Sequence, residues 1–103
     1  MGISHDTQLS AVFKALADDT RIQILDELRH RDHQSLFEIC VRILESSNLS
    51  LSRQAISRHL ATLEEAGLIQ TAWKGRTKIH SLSAQALEDV VAPWIEPYCR
   101  KEA

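Results

Sequence analysis

Apolar positions along the chain recur with a period near 3.6, separated by short polar stretches, and switch once to a period near 2. Leu9, Val12, Phe13 and Leu16 fall at i, i+3, i+4 and i+7 and predict a first amphipathic helix. Asp18 or Asp19 can cap a second, in which Ile22, Leu25 and Leu28 are the expected buried positions and Ile24 widens the stripe. The polar run His30 to Gln34 predicts a loop. Ser35, with Glu38 three residues on, forms a capping box that opens a third helix, with Leu36, Ile39 and Ile43 inward and Cys40 at the margin. Ser46, Ser47, Asn48 and Ser50 break the pattern, and Ser52 caps a fourth helix carrying Ile56, Leu60 and Leu63 on one face. Gly67 ends that helix. β-branched and aromatic residues then flank Lys74, Gly75 and Arg76, which predicts a hairpin whose tight turn uses a positive φ at Gly75. A last stripe, Leu87, Val90, Val91, Trp94, Ile95 and Tyr98, contains Pro93 and Pro97, and Pro93 is expected to kink or restart the helix.

The order helix, turn, helix, hairpin points to a mainly α chain with a small β-hairpin. Its fourth helix has an unusual outer face: Gln54, Ser57, Arg58 and Ala61 point away from the apolar stripe, where a solvated helix would more often carry long Glu and Lys side chains. Gln, Ser and Arg can bond base edges and phosphates, Ala leaves room for close approach, and the acids Glu64 and Glu65 come only later. The N-terminal half is therefore the half suited to meeting a duplex. Lys74, Arg76 and Lys78 are expected to gather at the hairpin tip and the strand after it; the plainer reading of those three is an ordinary solvated turn.

With 103 residues and 44% apolar content, a single domain over residues 1–103 with a modest core is expected, too small for a large enzyme pocket and its scaffold. The formal charge of −2 hides an asymmetry: from Ser52 to His80 five basic residues face two acids, a local +3 that leaves −5 elsewhere. One face can thus concentrate positive field in an acidic chain. Apolar runs of only a few residues predict no membrane span, and the start MGISHDTQ lacks the features of a secretory signal, so a cytoplasmic location is expected. Cys40 and Cys99, far apart and without C-x-x-C spacing, fit reduced thiols better than a disulfide scaffold.

The last stripe is wide for so short a chain. Together with the first helix it offers more apolar surface than one core absorbs, which predicts a homodimer through Leu9, Val12, Phe13, Leu87, Val91, Trp94, Ile95 and Tyr98. The alternative is that Trp94 and Tyr98 fold back onto their own core.

The segments VFKALADDTRIQILDEL, AISRHLATLEEAGLI and KGRTKIHSL resemble the ArsR family of winged helix-turn-helix transcriptional repressors over nearly the whole chain. The resemblance implies a dimer of winged helix-turn-helix protomers joined by their first and last helices, with double-stranded DNA as partner. It implies operator contacts at Ser52, Arg53, Gln54, Ser57 and Arg58 and at Arg76 of the wing. Metal-sensing members of the family carry a C-V-C run in the third helix; here Cys40 is followed by Arg42 where the second thiolate would be. From Ala84 to Ala103 there is no histidine for the family's other metal site, so neither metal nor cofactor is expected and the effector is left open. The stretch from Glu38 to Ser52 is longer than usual, which predicts an extended third helix.

Other features carry less. His30, Asp32 and His33 could hold zinc with help from a second chain, but read more simply as a polar loop. His59 lies near the apolar stripe, which favours packing over base contact, and Trp73 is expected to pack against the body. An enzyme is not expected: with three glycines there is no phosphate loop or nucleophile elbow to accompany a Cys or Ser nucleophile and His59 or His80 as base. A winged-helix module for protein contacts fits the same elements, though its wing would be expected to show apolar or mixed residues in place of Lys74, Arg76 and Lys78.

Overall fold

The computed structural model describes residues 5–46 and 51–99. Helices α1 (His5–Leu16), α2 (Asp19–His30), α3 (Leu36–Ser46), α4 (Arg53–Glu65) and α5 (Ala92–Cys99) surround a small sheet of β1 (Gln34–Ser35), β2 (Ile69–Lys74) and β3 (Thr77–Leu82). A π-helical turn, Leu87–Val91, leads into α5. The sheet is antiparallel in the order β1, β3, β2, with Ile69 opposite Leu82 and Lys74 opposite Thr77.

Local chemistry sets most helix boundaries. Asp18 Oδ1 accepts from the Arg21 backbone N–H at 3.1 Å and starts α2. The Ser35 and Glu38 capping box forms in both directions, at 2.9 and 3.2 Å, and starts α3. Ser52 Oγ accepts from the Ala55 N–H at 3.0 Å and starts α4. Gly67 ends α4 with φ 80°, a left-handed conformation that a side chain would strain. Before α5 the Ala92 N–H bonds back to the Leu87 carbonyl, the i→i−5 pattern of a π turn. Pro93 follows with no N–H to offer, so the helix winds wide and then restarts.

The core runs through all layers: Val12 and Ala15 of α1, Ile24 and Leu28 of α2, Ile39 and Ile43 of α3, Ile56, Leu60 and Leu63 of α4, then Leu68, Ile69 and Ala86. Burying such aliphatic side chains contributes about 1.5–3 kcal/mol each and holds α4 against α2 and α3.

Several expectations need correction. On α2 the inward stripe is Thr20, Ile24 and Leu28; Leu25 is half-buried and Ile22 is exposed, because the axis of burial is set by i, i+4, i+8 from Thr20 and leaves Ile22 on the far side. The run His30 to Gln34 is not all loop: α2 continues through His30, and buried Gln34 enters β1 opposite His80. A two-residue strand has no periodicity to detect. Ser46, expected to break the pattern, is still in α3, and the extension expected of that helix falls on residues 47–50, Ser47, Asn48 and Ser50 among them, which lie outside the described residues. Val12, expected on the dimer face, is fully enclosed in the core of its own protomer.

Candidate nucleic-acid interface

Helix α4 is divided along its length. Ile56, Leu60 and Leu63 are buried, while Ser52, Arg53, Gln54, Ser57, Arg58 and Ala61 are exposed along the outer side. The Ser52 hydroxyl is taken up by the Ala55 N–H. The side chains of Arg53, Gln54, Ser57 and Arg58 project from the first two turns of a helix whose N-terminal amides carry partial positive charge. No acid lies in that first turn.

The hairpin is closed by Gly75 and Arg76. Gly75 has φ 64° and Arg76 is not left-handed, which matches the two-residue turn with glycine first. Lys74, Arg76 and Lys78 are all exposed, but they do not form one cluster. Trp73 is paired with Lys78 and Lys74 with Thr77, so Lys78 shares a face with Trp73 and Lys74 points from the opposite face. Two-residue alternation across the turn decides this.

Lys78 faces α4. Its Nζ lies 4.0 Å from Glu64 Oε1, and Glu64 Oε2 accepts from Thr71 Oγ1 at 2.8 Å. In the sequence Glu64 shows only as a late acid on the fourth helix; its role as the fastener between helix and wing rests on a contact seven residues away across a turn, which leaves no periodic signal. Ser57, Ala61, Glu64, Lys78 and His80, with Leu36 and Leu60, line a narrow cleft between α4 and the wing. Trp73, expected to pack on the body, is 69% exposed, because the hairpin has by then run past the body's edge.

At the wing's root His80 is buried and its Nδ1–H donates to the Gln34 carbonyl at 3.1 Å. Burial pushes the His80 imidazole below its usual pKa, with the Gln34 hydrogen bond opposing. Of the polar-loop residues, Asp32 Oδ1 accepts from the Leu82 N–H at 2.7 Å, His33 Nδ1 lies 2.7 Å from Ser81 Oγ, and His30 Nδ1 bonds the Asp26 carbonyl. The Asp32 and His33 contacts latch the α2–β1 connection to β3, while the His30 contact stays within α2. Among the described residues no group of three His, Cys, Asp or Glu side chains is placed to hold a metal. Arg42, where the metal-sensing pattern would have a thiolate, instead donates to Glu27 at 3.0 Å, and burial pushes the Cys40 thiol up, so these residues do not fit a soft-metal site. Cys99 is exposed.

His59 is half-buried on the inner side of α4, as its position suggested, and 3.2 Å from Arg21 Nη1. Arg21 was not singled out from the sequence.

The remaining predicted residues lie on α1, the π turn and α5. Leu9, Leu87 and Val91 are half-buried. Phe13, Trp94, Ile95 and Tyr98 are exposed at 37, 43, 40 and 66%. Phe13 and Trp94 meet edge to face with centroids 5.4 Å apart, and Trp94 and Tyr98 lie 5.0 Å apart. No residue of α5 is buried. Among the described residues no helix is long and apolar enough to cross a membrane.

Comparison with known proteins agrees with this geometry. A helix-turn-helix domain family matches residues 16–71. The HTH-type transcriptional regulator YuzN of Bacillus subtilis, itself uncharacterised, is 42% identical over 84% of this chain and 94% of its own. The transcriptional activator HlyU of Vibrio cholerae is 34% identical over 86% of this chain and 76% of its own. The solved structure of an ArsR-like transcriptional regulator from Rhodococcus sp. RHA1 superposes with a TM-score of 0.71 at 34% identity, covering 89% of this chain and 79% of that one. These relatives are transcription regulators rather than enzymes. With a capped helix, a three-stranded wing and relatives of this kind, the chain belongs to the ArsR family of winged helix-turn-helix transcriptional regulators.

Proposed function

We propose that two copies of this chain form a symmetric dimer that reads a pseudo-palindromic operator in double-stranded DNA and represses transcription by occupying the promoter. The observation that carries the reading is the division of α4 into a buried apolar face and an exposed face of Arg53, Gln54, Ser57 and Arg58. A helix of that kind enters the major groove with its N-terminal residues against base edges. Ser52, Arg53, Gln54, Ser57 and Arg58 then supply base and phosphate contacts, and Lys74 and Arg76 hold the neighbouring backbone. Lys78 reaches the same backbone from the Glu64 side of the wing.

Dimerisation draws support from α5. A helix with no buried residue and three exposed large apolar side chains is unstable alone, and the aromatic run Phe13, Trp94 and Tyr98 makes a continuous patch with α1. The radius of gyration, 15.1 Å, exceeds the roughly 13 Å of a compact chain of about 100 residues. For both α4 helices to enter the major groove, a two-fold pairing of this patch has to place them about 34 Å apart, one duplex turn.

The test is sedimentation of the purified protein together with selection of bound fragments from a genomic library, followed by transcription from a selected promoter in vitro. A dimer that recovers inverted repeats and lowers transcript yield is the expected result. A monomer, or a protein indifferent to sequence in dilute buffer, overturns the reading. Increased transcript would retain the dimer and operator and replace repression by activation, the role that HlyU's name records.

A further inference from the structure

From α2 the Arg21 side chain reaches both α1 and α4. Its Nε donates to the Ala15 carbonyl at 2.6 Å and its Nη2 to the Lys14 carbonyl at 3.2 Å, both in the last turn of α1. Nη1 lies 3.2 Å from His59 Nδ1 in the middle of α4. A guanidinium can only donate, so His59 Nδ1 accepts here and the ring proton sits on Nε2. Asp18 Oδ2, 3.8 Å from Nη1, balances the charge, and the Arg21 side chain is only 17% exposed. The Asp18 carboxyl is held below the usual carboxylate range, first by the Arg21 backbone N–H and against the opposing effect of burial, with the Arg21 charge adding.

Partial negative charge on the last carbonyls of a helix favours a cation there, so α1 is a natural seat for the guanidinium. What is particular to this chain is the other end of the bridge. Lys14 follows Phe13, which meets Trp94 in the exposed aromatic patch. His59 follows Arg58 on the outer face of α4. One partly buried cation therefore joins the helix that carries the apolar patch to the helix that carries the reading face, with two bonds on one side and one on the other.

We infer that Arg21 is a positioning residue that fixes the separation of the two α4 helices, and with it the half-site spacing the protein accepts. The inference rests on the dimeric DNA-binding reading above. Two-fold symmetry doubles any displacement: a shift of α4 against α1 by about 1.7 Å along the line joining the copies changes their span by about 3.4 Å, the rise of one base pair. Apolar contacts in the core are non-directional and tolerate slippage of that size better than three charge-assisted bonds to fixed acceptors do.

The experiment uses the full chain and a palindromic duplex selected by the wild type from a random-sequence pool, with derivatives whose centre is lengthened or shortened by one and two base pairs. Binding is followed by fluorescence anisotropy at one salt concentration, with dimer mass and far-UV circular dichroism recorded for each protein. For the wild type each single base-pair change is expected to weaken binding about tenfold, the cost of roughly 1.4 kcal/mol. Arg21→Lys, which keeps the charge but cannot span three acceptors, and His59→Leu, which removes only the α4 end, should lose about tenfold at the selected spacing while staying within about threefold across the others. His59→Asn places an amide oxygen near the site of Nδ1 and should restore the steep profile. If Arg21→Lys fails to fold, His59→Leu decides. Variants that weaken equally at every spacing, or that keep the wild-type steepness, overturn the inference and leave the dimeric reading standing. A wild type that is monomeric or binds no duplex removes that reading and the inference with it.

Discussion

Thr71 Oγ1 of the wing donates a 2.8 Å hydrogen bond to Glu64 Oε2 of α4, fastening the hairpin to the C-terminal half of the helix proposed to read DNA. Thr71→Val keeps the shape and removes the donor. Freed from Glu64, the wing should hold its phosphates less well, at a cost of about 1 kcal/mol or roughly fivefold in affinity. Adding Arg76→Ala should then cost less than it does in the wild type, since both changes act through wing placement. Affinities that simply multiply across the double-mutant cycle would mean that Thr71 does not orient the wing.

Gln54 and Arg76 should divide the work of recognition. Gln54→Ala is expected to narrow the gap between selected and random duplex by about 1–3 kcal/mol, because a base edge loses its partner. Arg76→Ala should weaken binding to every sequence and reduce the slope of log affinity against log salt by about one. Titrations of both variants at several salt concentrations check this. Equal losses on both duplexes for both variants would overturn the division.

The aromatic patch makes a separate prediction. Trp94 is 43% exposed in the single chain, so Trp94→Ala should cost a protomer little of its own fold while removing the contact with Phe13 and the centre of the pairing surface. Sedimentation at low micromolar protein should show the variant shifted towards monomer, with its circular dichroism unchanged. An unaltered dimer mass would place the interface elsewhere.

Stability should fall as pH drops below the usual imidazole pKa of 6.5, in part through His80. Its folded pKa is lowered, so between the folded and unfolded values the unfolded chain binds the extra proton and folding loses free energy as pH falls through that window. His80→Asn keeps an amide donor for the Gln34 carbonyl without a titrating ring. Urea unfolding at several pH values should give a shallower decline for this variant than for the wild type. Parallel curves would exclude His80 as a source of the dependence.

Much of this protein is legible in its sequence because short-range chemistry writes it there. Asp18, Ser35 with Glu38, and Ser52 start their helices through bonds to amides two or three residues away. Gly67 and Gly75 take the positive φ that side chains resist, and Pro93 follows the widened turn before α5. The apolar stripe of α4 faces inward as its spacing requires, which leaves Gln54, Ser57 and Arg58 outside.

The tertiary structure alone decided what depends on meeting a distant partner. Period 3.6 marks a stripe but not its centre, so packing against α1, α3 and α4 chose Thr20, Ile24 and Leu28 over Ile22. The pairing of β1 with β3, the Glu64 tie to the wing and the Arg21 bridge to His59 join residues up to 46 positions apart. Each is a directional contact whose geometry exists only once the helices have docked. Local sequence selects the elements through backbone hydrogen bonding; the angles between them are set by the shapes and charges they present to one another across the core.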